Sequence, residues 1–491
     1  MQVRGEGSGI CLYRRKGLFS PDMTETQNRD SQMLSSDHAN SLPMRRIVQT
    51  WWPLAASWLL MGAELPALSA VVARLAYPEI HLAAYGGVVF PLSLIIESPI
   101  IMLLSGSTAL SKDWASYLKL RRFMVRAGAL LTALHILVAF TPLYYVVVQG
   151  IIGAPAEIVA PARIGMMIMT PWTWSIAYRR FHQGVLIRFG HSRAVGLGTV
   201  IRLTSVGLVL TVTYLVGTVP GIVVGTSAVI AGVMSEAFYV GLAVRPVLRD
   251  QVRHAKPVEP PLTFQDFISF YVPLAMTALL NLLVQPIGSA ALSRMPQALD
   301  SLAVWPVVSG LAFMLRSLGL AYNEVVVALL DEPRSTHNLR RFAFFLMALT
   351  TLLLTLIAAT PFSSIWFRDM SALSPSLAAL ARSSLWVALP IPAMEALQSW
   401  YQGALVHKRR TRSITEAVAS FLLASSLVLV AGVIWGQMVG LYVGWAGFVV
   451  GNLARITWLW YRSRPVVTDL QERDIQQRFD RVQVGMGDEV C

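Results

Sequence analysis

The chain has 491 residues, of which 55% are hydrophobic and only 14% are charged, and its mean hydropathy is +0.57. A soluble domain could not keep this much apolar surface away from water, so the composition excludes a soluble enzyme and indicates a chain that mostly faces lipid. The formal net charge is +13, but the basic residues lie in loops between apolar segments, which indicates membrane topology rather than nucleic-acid binding.

The first 44 residues are polar and show no hydrophobic periodicity, which predicts a disordered N-terminal tail (1–44). They include no apolar stretch of the kind that a signal peptide requires. Because Met44 directly precedes Arg45 and Arg46, the choice between Met1 and Met44 as the translation start is open. The two cysteines, Cys11 and Cys491, lie in the terminal tails, so we expect neither a disulfide framework nor a metal site.

Apolar segments of the length that crosses a bilayer, about 20 residues, follow this tail. They predict an all-α integral membrane protein with an N-lobe (45–244), a basic cytoplasmic linker (245–264), a C-lobe (265–466) and a cytoplasmic C-terminal tail (467–491). The twelve predicted helices span roughly 51–74, 82–110, 123–148, 157–178, 194–216, 219–244, 266–293, 301–330, 342–361, 376–400, 413–435 and 438–461.

Basic residues occur in alternate loops, and the intervening loops are nearly free of them. This pattern places both termini in the cytoplasm and the chain in the cytoplasmic membrane. The residues that carry it are Arg45, Arg46, Lys112, Lys119, Arg121, Arg122, Arg179, Arg180, Arg188, Arg193, Arg245, Arg249, Arg253, Lys256, Lys408, Arg409, Arg410 and Arg412.

The two halves of the chain are copies of each other. Residues of helix 1 recur in helix 7 at an offset of 220, and the match continues at an offset of 219 through the rest of the half. The matched sets are Pro53, Pro66 and Arg74 with Pro273, Pro286 and Arg294, then Leu120 to Phe123 with Leu339 to Phe342, Gln183-Gly184 with Gln402-Gly403, and Arg245-Pro246-Val247 with Arg464-Pro465-Val466. Six spans per half is an even number, which predicts parallel halves related by a pseudo-twofold axis along the membrane normal.

The loop after helix 2 distinguishes between two transporter superfamilies that have such halves. It reads Ser111-Lys112-Asp113-Trp114-Ala115 and lacks the Gly-rich basic loop of major facilitators. The early prolines of helices 1 and 7 and the two Gln-Gly pairs resemble instead the superfamily of multidrug and toxic compound extrusion (MATE) proteins and polysaccharide flippases.

Shorter motifs resemble the progressive ankylosis protein family within that superfamily. They are Phe270-Tyr271-Val272-Pro273-Leu274-Ala275, then Pro286-Ile287 and Ser293-Arg294, with weaker similarity at Trp305-Pro306-Val307 and Ala84-Tyr85-Gly86. This resemblance implies export, without catalysis, of small anions such as pyrophosphate, citrate or nucleotides. Helix 8 departs from the family after Val307, where it is longer before its acid at Glu324, and this leaves the substrate open.

Ionisable side chains inside the predicted helices are the candidate site residues, because a charge in the bilayer is costly and usually faces a partner or a pathway. At an offset of 219, Glu97 aligns with Arg316 and Glu236 aligns with Arg455. We therefore predict a central cleft with one acidic wall and one basic wall. The full set is Glu64, Glu97, Arg202, Glu236, Arg316, Glu324, Glu395, Glu416 and Arg455.

Two interpretations of these charges are open. In the functional one, Arg202, Arg316, Glu324 and Arg455 bind an anionic substrate, while Glu64, Glu97 and Glu236 bind a coupling ion, H⁺ or Na⁺. In the other, the same residues form salt bridges that gate the cleft. Glu64 is the strongest coupling candidate, because Pro66 frees a backbone carbonyl nearby and its repeat equivalent, Val284, is apolar.

The predicted function is an alternating-access secondary transporter, an efflux antiporter that exports a small anionic metabolite. We expect no cofactor beyond the coupling ion, no metal, no nucleic-acid partner and a monomer in the lipid bilayer. Two alternatives stay open: an H⁺- or Na⁺-coupled exporter of organic cations, and a flippase for lipid-linked polysaccharide.

Two glycine patterns carry structural predictions. The Gln-Gly pairs are expected in loops after helices 4 and 10, as helix caps or as hinges. The Gly221-x-x-x-Gly225 and Gly440-x-x-x-Gly444 spacings predict close helix packing.

Overall fold

A computed structural model describes residues 42–487 except 334, 409 and 411, with side chains as far as Gln477. The predicted N-terminal tail lies outside the described residues as far as residue 41, and so do Cys11, Arg409 and Cys491.

The described residues form twelve long helical segments, which confirms the predicted all-α architecture. Ten of these segments are long and apolar enough to cross a membrane, whereas α4 and α12 carry several arginines along their length. The segments are α1 (Met44–Val72), α2 (Pro78–Leu110), α3 (Trp114–Phe140), α4 (Ala156–Ile168 and Thr170–Arg188), α5 (Ser192–Val216), α6 (Gly221–Asp250), α7 (Phe264–Leu292), α8 (Ala298–Leu329), α9 (Ser335–Ala359), α10 (Pro375–Ala388 and Ile391–His407), α11 (Arg412–Trp435) and α12 (Gly440–Gly487).

Proline interrupts three of these segments. α4 breaks at Met169, two residues before Pro171, and α10 breaks at the repeat-equivalent Pro390. α1 breaks at Ala63, because Pro66 has no amide to donate to the carbonyl four residues earlier. Its equivalent Pro286 leaves α7 continuous. The break in α1 therefore distinguishes the halves at the position where Glu64 stands.

Helix ends differ from the prediction in several places. α1 begins at Met44 rather than near 51, and α12 continues to Gly487 through the segment predicted as a C-terminal tail. α4 extends to Arg188, so that Arg179 and Arg180 lie in a helix rather than in a loop. Hydropathy marks where a chain leaves lipid, whereas the helical hydrogen bonds continue past that point, and the predicted ends were wrong for this reason.

The Gln-Gly pairs lie inside α4 and α10, so the predicted loops and caps at these positions were wrong, and the hinge stays a prediction. A Cβ atom on Gly184 would overlap the Ser107 hydroxyl of α2, and one on Gly403 would lie 2.7 Å from Cβ of Val326 in α8. Both glycines therefore permit close packing between neighbouring helices.

The second glycine prediction is confirmed. A Cβ on Gly221 would lie 2.9 Å from Val72, and one on Gly444 would lie 3.0 Å from Leu292. α6 thus packs closely on α1 in the first half of the repeat, and α12 packs closely on α7 in the second.

Asp113 fixes the linker between the halves to the N-lobe. Its carboxylate caps α3 by accepting a hydrogen bond from the Ser116 amide at 2.8 Å, and it accepts another from the Val258 amide of the linker at 3.1 Å. Burial alone would raise the pKa of this carboxyl, but these hydrogen bonds outweigh it and lower the pKa. The carboxylate therefore stays charged and holds the linker at neutral pH.

Two equivalent hydrogen bonds join the lobes at the predicted cytoplasmic end. The Trp51 indole of α1 donates to the Leu318 carbonyl of α8 at 2.9 Å. The Tyr271 hydroxyl of α7 donates to the Pro99 carbonyl of α2 at 2.6 Å. Both donors and both acceptors are repeat equivalents, so the pseudo-twofold axis relates the two contacts.

Arg74 joins the lobes at the opposite end. Its guanidinium, at the end of α1, donates to the carbonyl of Met370 at 2.6 Å and to that of Asp369. These carbonyls end a π-helical turn, Ile365–Met370, which follows α9 in the C-lobe. The carbonyl end of a helix is electronegative and has unpaired acceptors, and therefore binds a guanidinium well.

Arg294 makes the equivalent contact in the reverse direction. It extends from the end of α7 to the carbonyls of Ile151 and Ile152 in the N-lobe, both at 2.6 Å. Those carbonyls end the turn Val146–Ile152, the repeat equivalent of the turn that binds Arg74. Two inter-lobe arginines thus hold the cleft at one end.

Replacing Arg74 and Arg294 together by glutamine should let the lobes separate at this end. The readout is a cysteine introduced at Ser309 in a protein whose Cys11 and Cys491 are replaced by serine, labelled with an impermeant maleimide added on that side. We expect this cysteine to react at least about tenfold faster in the double variant than in the protein with both arginines, because hydrogen bonds to charged groups each contribute about 1.5 kcal/mol or more. Arg163→Gln is the control, because the hydrogen bonds of Arg163 at the same end go, among the described residues, to Ala139, Phe140 and Tyr145 of its own lobe. Equal labelling in all variants would contradict an inter-lobe role.

Candidate functional site

A cavity of about 350 Å³ lies between the lobes, where α1, α2 and α5 face α7, α8 and α12. Its lining is mainly apolar and includes seven aromatic side chains, and three of the described residues that line it are charged: Glu64, Arg202 and Arg316. The aromatic side chains are Tyr85, Phe90, Trp172, Trp305, Phe313, Trp445 and Phe448. A concave, largely apolar site with a few polar groups is typical of small-molecule binding.

A π-helical turn in α2, Tyr85–Val89, forms part of the cavity wall. Gly86 in this turn approaches α8 so closely that a Cβ atom would lie 2.7 Å from Pro306. α8 has no such turn at the equivalent positions. π-Helical turns inside α-helices are frequent at functional sites, and here the turn places Tyr85 in the cavity.

Glu64 and Arg202 form an ion pair in the cavity wall. The Glu64 Oε2 and Arg202 Nη2 atoms are 2.6 Å apart, and the two side chains are 12% and 17% exposed. The pair joins α1, just after its break, to α5. The sequence assigned these residues to different roles, whereas the structure brings them together.

Arg316 pairs with Glu395 on the opposite wall. Its Nε and Nη2 atoms donate to Glu395 Oε2 at 2.9 and 2.5 Å, and Gln398 donates to Oε1 at 3.2 Å. The guanidinium carbon lies 5.7 Å from the centre of the Phe448 ring. Nη1 of Arg316 donates to no described residue, so it remains available to a ligand.

A second group of charges is buried within the N-lobe, away from the cavity. Arg179 pairs with Glu236, which also accepts a hydrogen bond from Gln183 at 2.8 Å. Glu97 is only 2% exposed, and its electrostatic partners include Arg180 and Arg179. Together with Glu64 and Arg202, this lobe holds three acids and three arginines in the interior.

The C-lobe interior is not balanced in this way. Glu395 is the acid that interacts with both Arg316 and Arg455, so two arginines share one carboxylate among the described residues. The Arg455 Nε atom is buried and donates to no described residue. One positive charge therefore lacks a protein counterion in this lobe.

The predicted arrangement of facing acidic and basic walls was wrong. Three of the residues predicted to form these walls do not line the cavity: Glu97, Glu236 and Arg455. An uncompensated charge in an apolar bundle is costly, and the buried acids Glu236 and Glu395 pair with arginines of their own lobe. The ion pairs of the interior thus lie within lobes, and not across the cleft as gating bridges would.

Glu324 also lies outside the cavity. It is an exposed residue of α8 towards the predicted cytoplasmic end, where it hydrogen-bonds the Trp58 indole of α1. Glu416 of α11 pairs with arginines near the same end of the C-lobe. Neither residue meets the cavity charges.

Arg179, Arg180 and Glu395 receive no binding or coupling role from the sequence. The loop bases include Arg179 and Arg180, and the sequence places Glu395 near a helix end. One feature of the sequence could have identified them: Gln398, which donates a hydrogen bond to Glu395, is the repeat equivalent of Arg179. Polar residues at equivalent helical positions of both halves indicate a buried polar cluster in each.

Replacing Arg179 by methionine should lower the free energy of unfolding in detergent by roughly 3–5 kcal/mol, because it leaves a buried carboxylate without its partner. Arg193→Met, at an exposed position of α5 without an ion pair, should change it by less than about 0.5 kcal/mol. Denaturant titration of both variants measures the difference. Equal stability of the two would show that Glu236 does not depend on Arg179.

Solved structures of membrane transporters have the same fold. An inward-facing multidrug resistance MATE family transporter is 15% identical, with a TM-score of 0.61 over 87% of this chain and 99% of that one. The lipid II flippase MurJ, in an inward closed conformation, is 14% identical, with a TM-score of 0.63 over 89% and 93%. A transporter of the MOP superfamily from Pyrococcus furiosus, whose binding pocket is described as having reverse polarity, is 16% identical, with a TM-score of 0.58 over 87% and 97%.

No protein-family model matches the sequence, and no curated protein matches it. At identities this low, similarity to solved structures establishes the fold alone. The resemblance to the progressive ankylosis family stays a prediction, as do the choice of membrane and the orientation of the termini. The chain is a multi-pass membrane protein with the twelve-helix MATE-like fold, in which two parallel six-helix repeats enclose a central cavity.

Proposed function

We propose that this protein is an alternating-access secondary transporter that exports a small organic or inorganic anion through the central cavity. The observation that carries the proposal is the charge of the cavity wall. Two arginines, Arg202 and Arg316, face the cavity with one acid, Glu64, and Glu64 is already paired with Arg202. Behind Arg316, Arg455 shares the same carboxylate, which leaves a positive charge for a ligand to neutralise.

Arg316 is the first anchor for the anion. Its Nη1 atom is free of described partners, while Glu395 and Phe448 hold the rest of the guanidinium. Charge-assisted hydrogen bonds from a fixed guanidinium are strong in a cavity from which water is mostly excluded. The aromatic walls supply apolar contact to any part of the substrate that is not charged.

The Glu64–Arg202 pair is the proposed site of ion coupling. A proton or Na⁺ at Glu64 neutralises the carboxylate and releases Arg202 from its partner. Ion binding at Glu64 therefore changes the affinity of the cavity for an anion, and the anion changes the affinity for the ion by the same factor. Glu97 and Glu236 lie behind the wall, and Glu236 is already paired with Arg179.

Alternating access needs the lobes to separate at one end at a time. The contacts between lobes described above are hydrogen bonds at the two ends of the cleft, from Trp51 and Tyr271 at one and from Arg74 and Arg294 at the other. The interior ion pairs lie within lobes, so a rocking motion need not break them. Rigid-body motion of two repeats around a fixed site is the usual mechanism of such folds.

The alternatives are less well supported by the cavity. A solved neighbour is a MATE multidrug transporter in complex with a small molecule, but an organic cation here would meet a single, already paired acid. MurJ is a lipid II flippase, and a lipid-linked substrate would favour a continuous basic cavity, whereas this one is mainly apolar. The sign of the transported charge distinguishes the proposal from the cation exporter.

Inside-out vesicles that contain the protein should take up labelled anions from a panel of pyrophosphate, citrate and nucleotides. Arg316→Gln should raise KM for the transported anion roughly tenfold to a hundredfold, because it removes a charge-assisted hydrogen bond, and Arg316→Lys should restore part of the loss. Arg382→Gln, at an exposed position of α10, is the control. Uptake of organic cations and of no anion would refute the proposal.

Glu64→Gln should abolish the dependence of transport on imposed H⁺ or Na⁺ gradients, because the amide neither takes up a proton nor carries the charge that binds Na⁺. Anion binding itself should persist, since Arg202 is then free of its partner. The measurement compares initial uptake rates with and without each gradient in both proteins. A variant that kept its full response to pH and Na⁺ would place the coupling site elsewhere.

A further inference from the structure

A second basic site lies far from the cavity, at the predicted cytoplasmic ends of α11 and α12. It is a pocket of about 560 Å³, which we call the arginine pocket. Four arginines line it, together with Ser413 and Tyr461: Arg410, Arg412, Arg462 and Arg464. Nothing in the proposed transport mechanism uses these residues.

The arginine pocket carries an excess of positive charge. Glu416 accepts from Arg412 at 3.3 Å and from Arg462 at 3.1 Å, and Arg462 also donates to the Ser413 hydroxyl at 3.2 Å. Arg410 and Arg464 have no carboxylate partner among the described residues. Four arginines against one glutamate leave three positive charges, with two of the four guanidinium groups held in place by the same acid.

The arginine pocket lies at the depth expected for lipid headgroups. Arg412 is the first residue of an apolar span that continues to Trp435. Beside it, on α12, Trp458 and Tyr461 are 38% and 58% exposed, and the Arg464 guanidinium stacks 3.6 Å from the ring centre of Trp460. Exposed tryptophan and tyrosine at the ends of spans mark the boundary between hydrocarbon and headgroups.

The N-lobe repeats only some of the residues that form this pocket, although its helices are copies of the same elements. Arg412 and Arg464 recur as Arg193 and Arg245, but Arg462 and Glu416 are replaced by Ala243 and Leu197. The positive-inside rule explains basic residues at this end of both lobes. It does not explain why only the C-lobe has an acid that fixes two of its arginines around a pocket.

We propose that the arginine pocket binds the phosphate of an anionic phospholipid headgroup at the predicted cytoplasmic surface. Guanidinium groups bind phosphate oxygens in pairs with matched geometry, and basic pockets between helices at this level favour anionic lipid over zwitterionic lipid. Arg412 and Arg462 form the fixed part of the site, and Arg410 and Arg464 supply the uncompensated charge. The bound lipid would anchor the C-lobe in its leaflet.

The test measures binding of short-chain phosphatidylglycerol and short-chain phosphatidylcholine to the purified full-length protein in a neutral detergent. The protein should bind the anionic lipid at least about tenfold more tightly, and Arg410→Gln with Arg464→Gln should remove most of that preference. Arg193→Gln with Arg245→Gln, the equivalent arginines of the N-lobe, is the matched control. Arg464→Lys reports whether charge alone suffices or the guanidinium is needed.

Three results would overturn the proposal: equal affinity for the two lipids, equal loss of affinity in the N-lobe control, and tight binding of glycerol phosphate without acyl chains. The last would indicate a soluble phosphate compound instead of a lipid. Arg410 is exposed, so the single variant Arg410→Gln repeats the test if the double variant does not fold. Because the assay measures binding and not transport, its outcome is independent of the proposed transport function.

Discussion

The cost of a charge in an apolar bundle determines how the interior of this protein is organised. Among the described residues, four glutamates and five arginines lie inside the helices around and behind the cavity, and Glu64, Glu236 and Glu395 each form an ion pair with an arginine of their own lobe. Removing one member of a buried pair costs several kcal/mol, which favours keeping these pairs formed unless a bound ion replaces one of the partners. Because they do not cross the cleft, each lobe is a unit whose charges remain paired while it moves.

The contacts that do cross the cleft are of a different kind. They include hydrogen bonds from Trp51, Tyr271, Arg74 and Arg294 to backbone carbonyls of the other lobe, and an ion pair at the surface between Arg46 of α1 and Glu332 after α8. A carbonyl that loses such a donor near the end of a helix can bond water instead, so the cost of opening is small compared with the cost of breaking a buried ion pair. The repeat makes these contacts in pairs, which balances the closure of each end about the pseudo-twofold axis.

The scaffold was predictable from the sequence, and the site was predictable only in part. The prolines, loop bases and repeat offsets predicted twelve helices in two copies, because each of those signals is local or is shared between halves. The pairing of Glu64 with Arg202 was not predictable, because it depends on the rotation of α1 after its break and on the position of α5. Arg179 and Arg180 were misplaced because hydropathy ends a helix at the first charges, even where those charges face the interior.

The symmetry also shows why the two lobes would divide the work of transport. Trp51 and Tyr271 stand at equivalent positions of the repeat, as do Arg74 and Arg294. At these positions both halves contribute the same kind of contact to closing the cleft. The halves differ in their interior charges. The N-lobe interior holds three acids and three arginines, whereas Arg316 and Arg455 of the C-lobe share Glu395 among the described residues. A lobe with balanced charges can respond to a small cation at Glu64, and a lobe with one excess positive charge attracts an anion. In the proposed mechanism, ion coupling and anion binding would thus fall on opposite walls of one cavity.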